Sequence, residues 1–412
     1  SNCVQVTMAW LRDGLKKRCI TRDLKWGTPV PREGFEDKVF YVWFDAPIGY
    51  ISITAAHTAE WEQWWKNPKD VELVQFMGKD NVPFHTVIFP STLIGTGEDW
   101  TMMKSISVTE YLNYEGGKFS KSRGTGVFGN DAKSTKIEKE VWRYYLLANR
   151  PEQADAMFMW NDLKEKNNAE LLANLGNFVN RVLSFCAARM EGIIPKVAKD
   201  TAVGLALGAK IGPLVSEYVT AMDKIKIKDG LKTVMAISRI GNGFLQENAP
   251  WDLLKQGKTE ECNAVIATGA GVVFILVTLM EPFMPSLTDK ILLQMNMTRK
   301  NMLSLSEADM AKCTQPHLLI SSHKIGKPTP LFRKLLDEEM EEYRARFGGS
   351  PAADGNGALA AAPSSEKKLD KSGKPIGGKP KGGGGKKAPE GPVDVARLNV
   401  KVGKVVKAWK HP

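Results

Sequence analysis

The sequence of 412 residues holds only five cysteines, Cys3, Cys19, Cys186, Cys262 and Cys313, and no two of them form a Cys-x-x-Cys pair. None stands at zinc-ligand spacing from any of the five histidines. A disulfide scaffold and a zinc finger are thereby excluded, and the expectation is reduced thiols, a cytosolic setting and no metal site. The N-terminal stretch "SNCVQVTMAW" lacks a basic region followed by an apolar run, so no secretory signal is legible, and it also lacks an initiator methionine. The chain therefore reads as a fragment. Long uncharged runs are scarce. The segment that could mimic a membrane span, "AVIATGAGVVFILVTLM" from Ala264 to Met280, is 17 residues long, contains Thr and Gly, and is short for a bilayer. It predicts a buried helix of a bundle rather than a membrane span. No internal repeat is present.

What the chain does contain is enough apolar material, 43% of residues, for the cores of two or three domains. A formal net charge of +11 favours a polyanionic partner. Much of that excess sits in one low-complexity tract, because between Glu366 and Lys387 eight lysines stand against two acids.

The first third reads as α/β. "VFYVWFD" (Val39 to Asp45) and "LVQFMG" (Leu73 to Gly78) predict strands of a parallel sheet, with "YISITAAHTAEWEQWWKN" crossing over between them as a helix. Asp80, Asn81 and Pro83 then lead into an apolar helical pattern through Phe84, Val87, Ile88 and Leu93. In such folds ligands gather at the carboxyl ends of strands, which puts Trp43 to Tyr50 and Gly78 to His85 at one crevice. From Ile137 the period changes to 3.6 and predicts a helix bundle continuing to Phe347. Within it Leu172, Leu175, Val179, Val182 and Cys186 share one stripe, and Asn174, Asn177 and Arg181 share another. Trp61, Trp64 and Trp65 are assigned to packing. Residues 348–392 have almost no large apolar side chains and read as a flexible basic linker, after which "VDVARLNVKVGKVVKAWKHP" alternates as strands.

Between the α/β and helical parts lies "GGKFSKSRGTGVFGND" (Gly116 to Asp131), where glycines let a backbone approach a ligand and Lys118 and Lys121 supply mobile positive charge. Phosphate suits such a loop, although the spacing is not that of a Walker loop. "KFSKS" resembles the Lys-Met-Ser-Lys-Ser signature of class I aminoacyl-tRNA synthetases, with Phe119 in the Met position. "FYVWFDAPIGY" (Phe40 to Tyr50) and "FMGKDNVPFH" (Phe76 to His85) resemble the other active-site signatures of methionyl-tRNA synthetases, and the basic linker with "ARLNVKVGKVVKAWKHP" is similar to their plant-type cytosolic form.

The resemblance implies an ATP-dependent methionine–tRNA ligase that forms methionyl-adenylate, with release of pyrophosphate, and passes methionine to tRNA(Met). It implies the C-terminal half of a Rossmann-like catalytic domain (1–150), a helical anticodon-binding domain (151–347), the linker (348–392) and the first strands of an OB-fold (393–412). The family's first Rossmann half, its His-x-Gly-His-type motif and its connective region with any metal knuckle are not in this sequence, so the fragment alone is expected to be inactive. By the same resemblance Lys121 and Lys118 are catalytic. Gly78, Asp80, Lys118, Ser120, Lys121 and Ser122 would bind ATP with its Mg2+, and Arg22, Trp43, Ala46, Pro47, Tyr50, Asn81 and His85 would bind methionine. Asn177, Arg181 and Trp251 would read the anticodon. Asn81 departs from the apolar residue usual in bacterial relatives. Partner synthetases are among the expected associations. The competing readings are a noncatalytic tRNA-binding or scaffold protein derived from a synthetase, and a class I synthetase for leucine, valine or isoleucine.

Overall fold

A computed structural model describes residues 2–349. The expected OB-fold strands, and all but the first residues of the expected linker, lie outside the described residues.

Helix α1 (Asn2–Arg12) turns Cys3 inward and joins Thr7 to Thr86 through their hydroxyls, 2.8 Å apart. Strand β1 (Thr21–Arg22) pairs antiparallel with β2 (Val39–Phe40), and there the expected strand over Val39–Asp45 stops. A strand continues only while a neighbour takes up its N–H and C=O groups, and β1 offers two residues. Beyond Tyr41 the chain satisfies itself locally as helix α2 (Val42–Asp45), with the Ala46 N–H donating to the Val42 carbonyl at 2.9 Å. Of this segment only Val39 is buried, while Val42 and Trp43 are exposed.

Helices α3 (Gly49–His57) and α4 (Trp61–Trp65) lead to β3 (Leu73–Gly78), which is not in one sheet with β2 as expected but pairs in parallel with β4 (Met103–Thr109) and sets Gly78 opposite Thr109. Between these strands run a 3-10 turn (Lys79–Asn81), a π turn (Phe84–Ile88) and helix α5 (Phe89–Gly95). Ile51, Trp65, Phe89 and Leu93 make a small core, with Trp61 packed on it. Trp64, assigned to packing from the sequence, is instead 58% exposed. Trp61 and Trp65 are four apart and share the inner face of α4; Trp64 lies about 100° round from Trp65.

Strand β5 (Leu112–Tyr114) pairs in parallel with β6 (Ala156–Phe158), and between them lie the lysine hairpin, α6 (Gly129–Ala132) and α7 (Lys139–Ala148). The larger core starts at Tyr114 and runs to Phe347. Its first part is aromatic: Tyr114 stacks on Phe158 at 5.7 Å, Phe158 meets Trp160 edge-on at 5.0 Å, and Trp160 stacks on Phe347 at 5.9 Å. Helix α8 (Trp160–Glu165) continues through a wide π segment (Lys166–Gly176) into α9 (Asn177–Arg189). The remaining helices are α10 (Ala202–Asp223), α11 (Ile227–Asn248), α12 (Pro250–Lys255), α13 (Thr259–Met280), α14 (Pro285–Gln294), α15 (Glu307–Lys312) and α16 (Asp337–Phe347).

Helices α10 and α13 are long and apolar enough to cross a membrane, yet 94% of the most apolar window of α13 is buried inside the protein, as its charge-free sequence predicts for a bundle core. It packs closely: a Cβ on Gly271 would sit 1.9 Å from the Pro316 carbonyl oxygen. The bundle is not helical throughout. Residues 326–336 form neither helix nor strand, since Pro328 and Pro330 have no N–H for a helix, and the side chains of Asn167 and Asn168 bond to the Arg333 and Leu335 carbonyls at 3.0 and 2.8 Å. Of the two stripes on α9 and the segment before it, Leu175, Val179, Val182 and Cys186 are fully buried. Asn174 leaves its stripe and donates to the Met235 carbonyl at 3.0 Å.

Candidate functional site

The turn Asp45–Gly49 and the start of the π turn after β3 face each other. The Tyr50 hydroxyl and His85 Nε2 are 2.8 Å apart, and His85 Nδ1 is 2.8 Å from the Asn81 carbonyl. A carbonyl only accepts, so Nδ1 carries a proton and donates to Asn81, while Nε2 shares its bond with the Tyr50 hydroxyl. Trp43 meets Phe84 edge-on at 4.8 Å, and Tyr50 meets His85 at 5.5 Å. These groups line a cleft of about 350 Å³ walled by Val42, Trp43, Ala46, Pro47, Tyr50, Asn81, Phe84 and His85. Six residues named for the amino acid are thus in one cleft, and Val42 and Phe84 were missed, because they read as members of apolar strand and helix patterns. Arg22 is not in it. Its guanidinium carbon lies 3.5 Å over the Tyr41 ring and it donates to the Thr21 carbonyl at 2.8 Å. It lines a neighbouring cavity of about 250 Å³ that shares only Trp43. A larger cavity of about 460 Å³, bounded by Trp10, Arg18 and Thr92, holds none of the named residues.

At the carboxyl end of β3, a Cβ on Gly78 would meet nothing within 4 Å, so the described chain leaves that position open to close approach. Asp80 is exposed and its Oδ1 accepts from the Tyr111 hydroxyl at 2.6 Å. Lys79 Nζ sits between Glu110 Oε2 at 2.8 Å and Asp155 Oδ1 at 2.7 Å, and 3.9 Å over the Tyr111 ring. Two carboxylates hold the Lys79 ammonium well above the usual lysine range, and that ammonium holds Asp155 and Glu110 below the usual carboxylate range. The charge of Lys118 also lowers Asp155. The hydrogen bond to Asp80 pushes the Tyr111 phenol up, keeping it a donor. No spacing in the sequence marks Tyr111, Glu110 or Asp155.

The lysine loop is a pinned hairpin. Tyr114 and Gly117 exchange backbone bonds of 2.8 Å each, and Ser120 and Thr125 exchange bonds of 2.8 and 3.0 Å. The Gly126 N–H donates to the Phe347 carbonyl at 2.9 Å. Gly126 has φ 113, and a Cβ there would fall 2.2 Å from Phe119, whose ring covers it and packs on Tyr114 at 5.3 Å and Phe128 at 5.7 Å. An apolar side chain at 119 thus roots the hairpin. Lys118, Lys121 and Ser122 are exposed, Ser120 Oγ lies 3.4 Å from Ser122 Oγ, and neither lysine forms an ion pair among the described residues. Their charge is available to an incoming anion.

In the bundle, Asn177 opens α9 exposed and Arg181 follows one turn later. The Arg181 guanidinium carbon lies 5.0 Å from the centre of the Trp251 ring at the start of α12. Ala249 in a left-handed conformation (φ 36) and Pro250 swing that tryptophan toward α9.

Two family models match the chain: "tRNA synthetases class I (M)" over residues 1–183 and "Anticodon binding domain of methionyl tRNA ligase" over residues 194–352. A probable methionine–tRNA ligase of Oryza sativa subsp. japonica is 55% identical over 428 aligned residues, covering 100% of this chain and 53% of the relative. The cytoplasmic methionine–tRNA ligase of Arabidopsis thaliana is 54% identical, again over 100% of this chain and 53% of its own length. The chain spans about half the length of these curated relatives. Among solved structures, Mycobacterium tuberculosis methionyl-tRNA synthetase in complex with methionyl-adenylate matches with TM-score 0.70 at 23% identity, over 81% of this chain and 63% of that one.

Proposed function

The chain belongs to the methionyl-tRNA synthetases of class I, and from that membership we propose that it carries the methionine cleft, the catalytic lysine hairpin and the anticodon reader of a methionine–tRNA ligase. The observation that carries the reading is the single cleft uniting Trp43, Ala46, Pro47, Tyr50, Asn81 and His85. Its walls are aromatic and its polar groups few, which suits a thioether: sulfur beside aromatic rings gains about 0.3 to 1.5 kcal/mol. Methionine's carboxylate is already ionised, so no general base is needed, and His85 acts by holding Tyr50 in place.

In the reaction, a carboxylate oxygen of methionine bonds to the α-phosphorus of ATP, and the bond from that phosphorus to the bridging oxygen breaks, releasing pyrophosphate. Asp80 accepts from the nucleoside at the open end of β3. Lys121, assisted by Lys118, Ser120 and Ser122, neutralises the leaving phosphates, and the magnesium arrives with the nucleotide. A hydroxyl at the 3′ end of tRNA(Met) then bonds to the methionyl carbonyl carbon as the bond from that carbon to the phosphate oxygen breaks and AMP leaves, while unstacked anticodon bases meet Asn177, Arg181 and Trp251. Recognition of this kind uses aromatic stacking and hydrogen bonds to exposed base edges. A base that stacks on Trp251 displaces the Arg181 guanidinium from the ring face. The domain organisation follows the same reading: a catalytic part over 1–150, an anticodon-binding part over 151–347, a basic linker over 348–392 and an OB-fold beginning at 393, the last two adding salt-sensitive attraction for tRNA phosphates. The name of the Arabidopsis relative supports a cytosolic location. Association with other synthetases in one assembly remains part of the proposal, through the same C-terminal extension.

Amino-acid-dependent exchange of pyrophosphate into ATP tests the reading. The longer protein that contains these residues is expected to exchange with methionine and to discriminate against leucine, isoleucine and valine by about 10²-fold in kcat/KM, the scale of selectivity a largely apolar pocket achieves. Residues 1–412 by themselves are expected to show no exchange. Equal exchange with leucine would favour another class I synthetase, and no exchange with any amino acid by the longer protein would favour a noncatalytic tRNA-binding scaffold.

A further inference from the structure

We propose that Tyr111 is a positioning residue for the nucleotide: its hydroxyl fixes the Asp80 carboxylate in one orientation, and the ion pairs around Lys79 fix Tyr111. The inference rests on the reading of Asp80 as the nucleoside contact, and goes beyond it by assigning what aims that carboxylate.

Asp80 stands on a short 3-10 turn directly after Gly78 and is exposed. Nothing in that turn restrains its side chain. The restraint comes from the Tyr111 hydroxyl, which occupies Oδ1 at 2.6 Å and leaves Oδ2 for a ligand donor. A carboxylate with one oxygen committed presents its other oxygen in a defined direction, which is the geometric preorganisation a binding site needs. Tyr111 is itself held at two further points. Its N–H donates to Asp155 Oδ1 at 3.0 Å, and its ring lies 3.9 Å beneath the Lys79 ammonium. Lys79 is in turn clamped by Asp155 and Glu110, and Glu110 Oε1 accepts from Asn2 Nδ2 at 2.8 Å.

The placement of these residues in the chain matters as much as their contacts. Lys79 and Asp80 follow β3, Glu110 and Tyr111 join β4 to β5, and Asp155 immediately precedes β6. Strand β5 leads straight into the lysine hairpin. One polar cluster therefore fastens the nucleoside-facing turn to the stem of the phosphate-facing loop, so the two halves of the nucleotide are held in register.

The test is steady-state exchange kinetics of the longer protein with Tyr111→Phe, which keeps the ring under Lys79 and removes only the hydroxyl. Loss of one hydrogen bond to a charged group is expected to raise the KM for ATP about tenfold, with the KM for methionine within about twofold and the melting temperature unchanged. Selectivity for ATP over analogues lacking the ribose 2′-hydroxyl, the 3′-hydroxyl or the adenine amino group should fall for at least one of them, and Tyr111→Phe added to Asp80→Asn should cost little more than Asp80→Asn alone. A structural role would raise both KM values together. An unchanged ATP KM in Tyr111→Phe, with Asp80→Asn impaired, overturns the positioning role alone; an unchanged ATP KM in Asp80→Asn overturns the nucleoside reading with it.

Discussion

Replacing Lys121 with alanine in the longer protein is expected, on the proposed function, to slow methionyl-adenylate formation by about 10²- to 10³-fold, the loss typical when one preorganised donor is removed from developing charge. Methionine affinity should stay within about twofold, because the Tyr50–His85 cleft is built from other segments. The magnitude follows from the structure of the hairpin. Its root is rigid, with Phe119 covering Gly126 and backbone bonds tying Ser120 to Thr125 and Gly126 to Phe347. Its lysines are exposed and make no ion pair among the described residues. An ammonium with no ion pair among the described residues has no bridge there to break before it stabilises the phosphates. Lys118, whose charge already bears on Asp155, should matter less, with a loss of about tenfold on replacement by alanine. Single-turnover measurement of adenylate formation checks both values, and a Lys118 defect exceeding that of Lys121 would reverse their assignment.

Replacing Trp251 with alanine is expected to lower kcat/KM for charging methionine tRNA by about 5- to 150-fold, the range for losing one stacked base. Methionine-dependent exchange should be nearly intact. The ring stands at the start of α12 with the Arg181 guanidinium 5.0 Å from its centre, and it is not among the buried core residues, so truncation removes the proposed stacking surface more than a piece of core. Equal losses in charging and in exchange would reject the anticodon role, because activation does not involve the tRNA.

How far these sites could be read from residues alone depends on the length scale of the contacts. The aromatic cleft proposed for methionine draws on two short segments whose side chains are ordered by local turns, and each segment carries a recognisable motif. Buried α13 announced itself by the lack of charge over 17 residues. The strand expected over Val39–Asp45 failed for a non-local reason, since strand and helix compete for the same apolar residues and a partner strand decides between them. Trp64 failed on phase, because three tryptophans on a helix of five residues cannot share one face. Arg22 lies within reach of Trp43 in the chain's folding but is drawn off by the Tyr41 ring. Tyr111 and Asp155 could not have been found: they meet Asp80 and Lys79 across 31 and 76 residues, through side chains that belong to no motif. The irregular run after Gly326 was in principle legible from Pro328 and Pro330, which a 3.6-residue period through the region passed over.

The central claim is that one adenylate occupies the space served by the aromatic cleft, the turn after β3 and the lysine hairpin. Hydrogen–deuterium exchange of the longer protein, with and without a non-hydrolysable sulfamate analogue of methionyl-adenylate, measures that occupancy segment by segment. Slowed exchange confined to 43–50, 78–85 and 118–122 is the predicted result; saturating analogue that leaves all three segments unprotected, or protects residues elsewhere in their place, would contradict it.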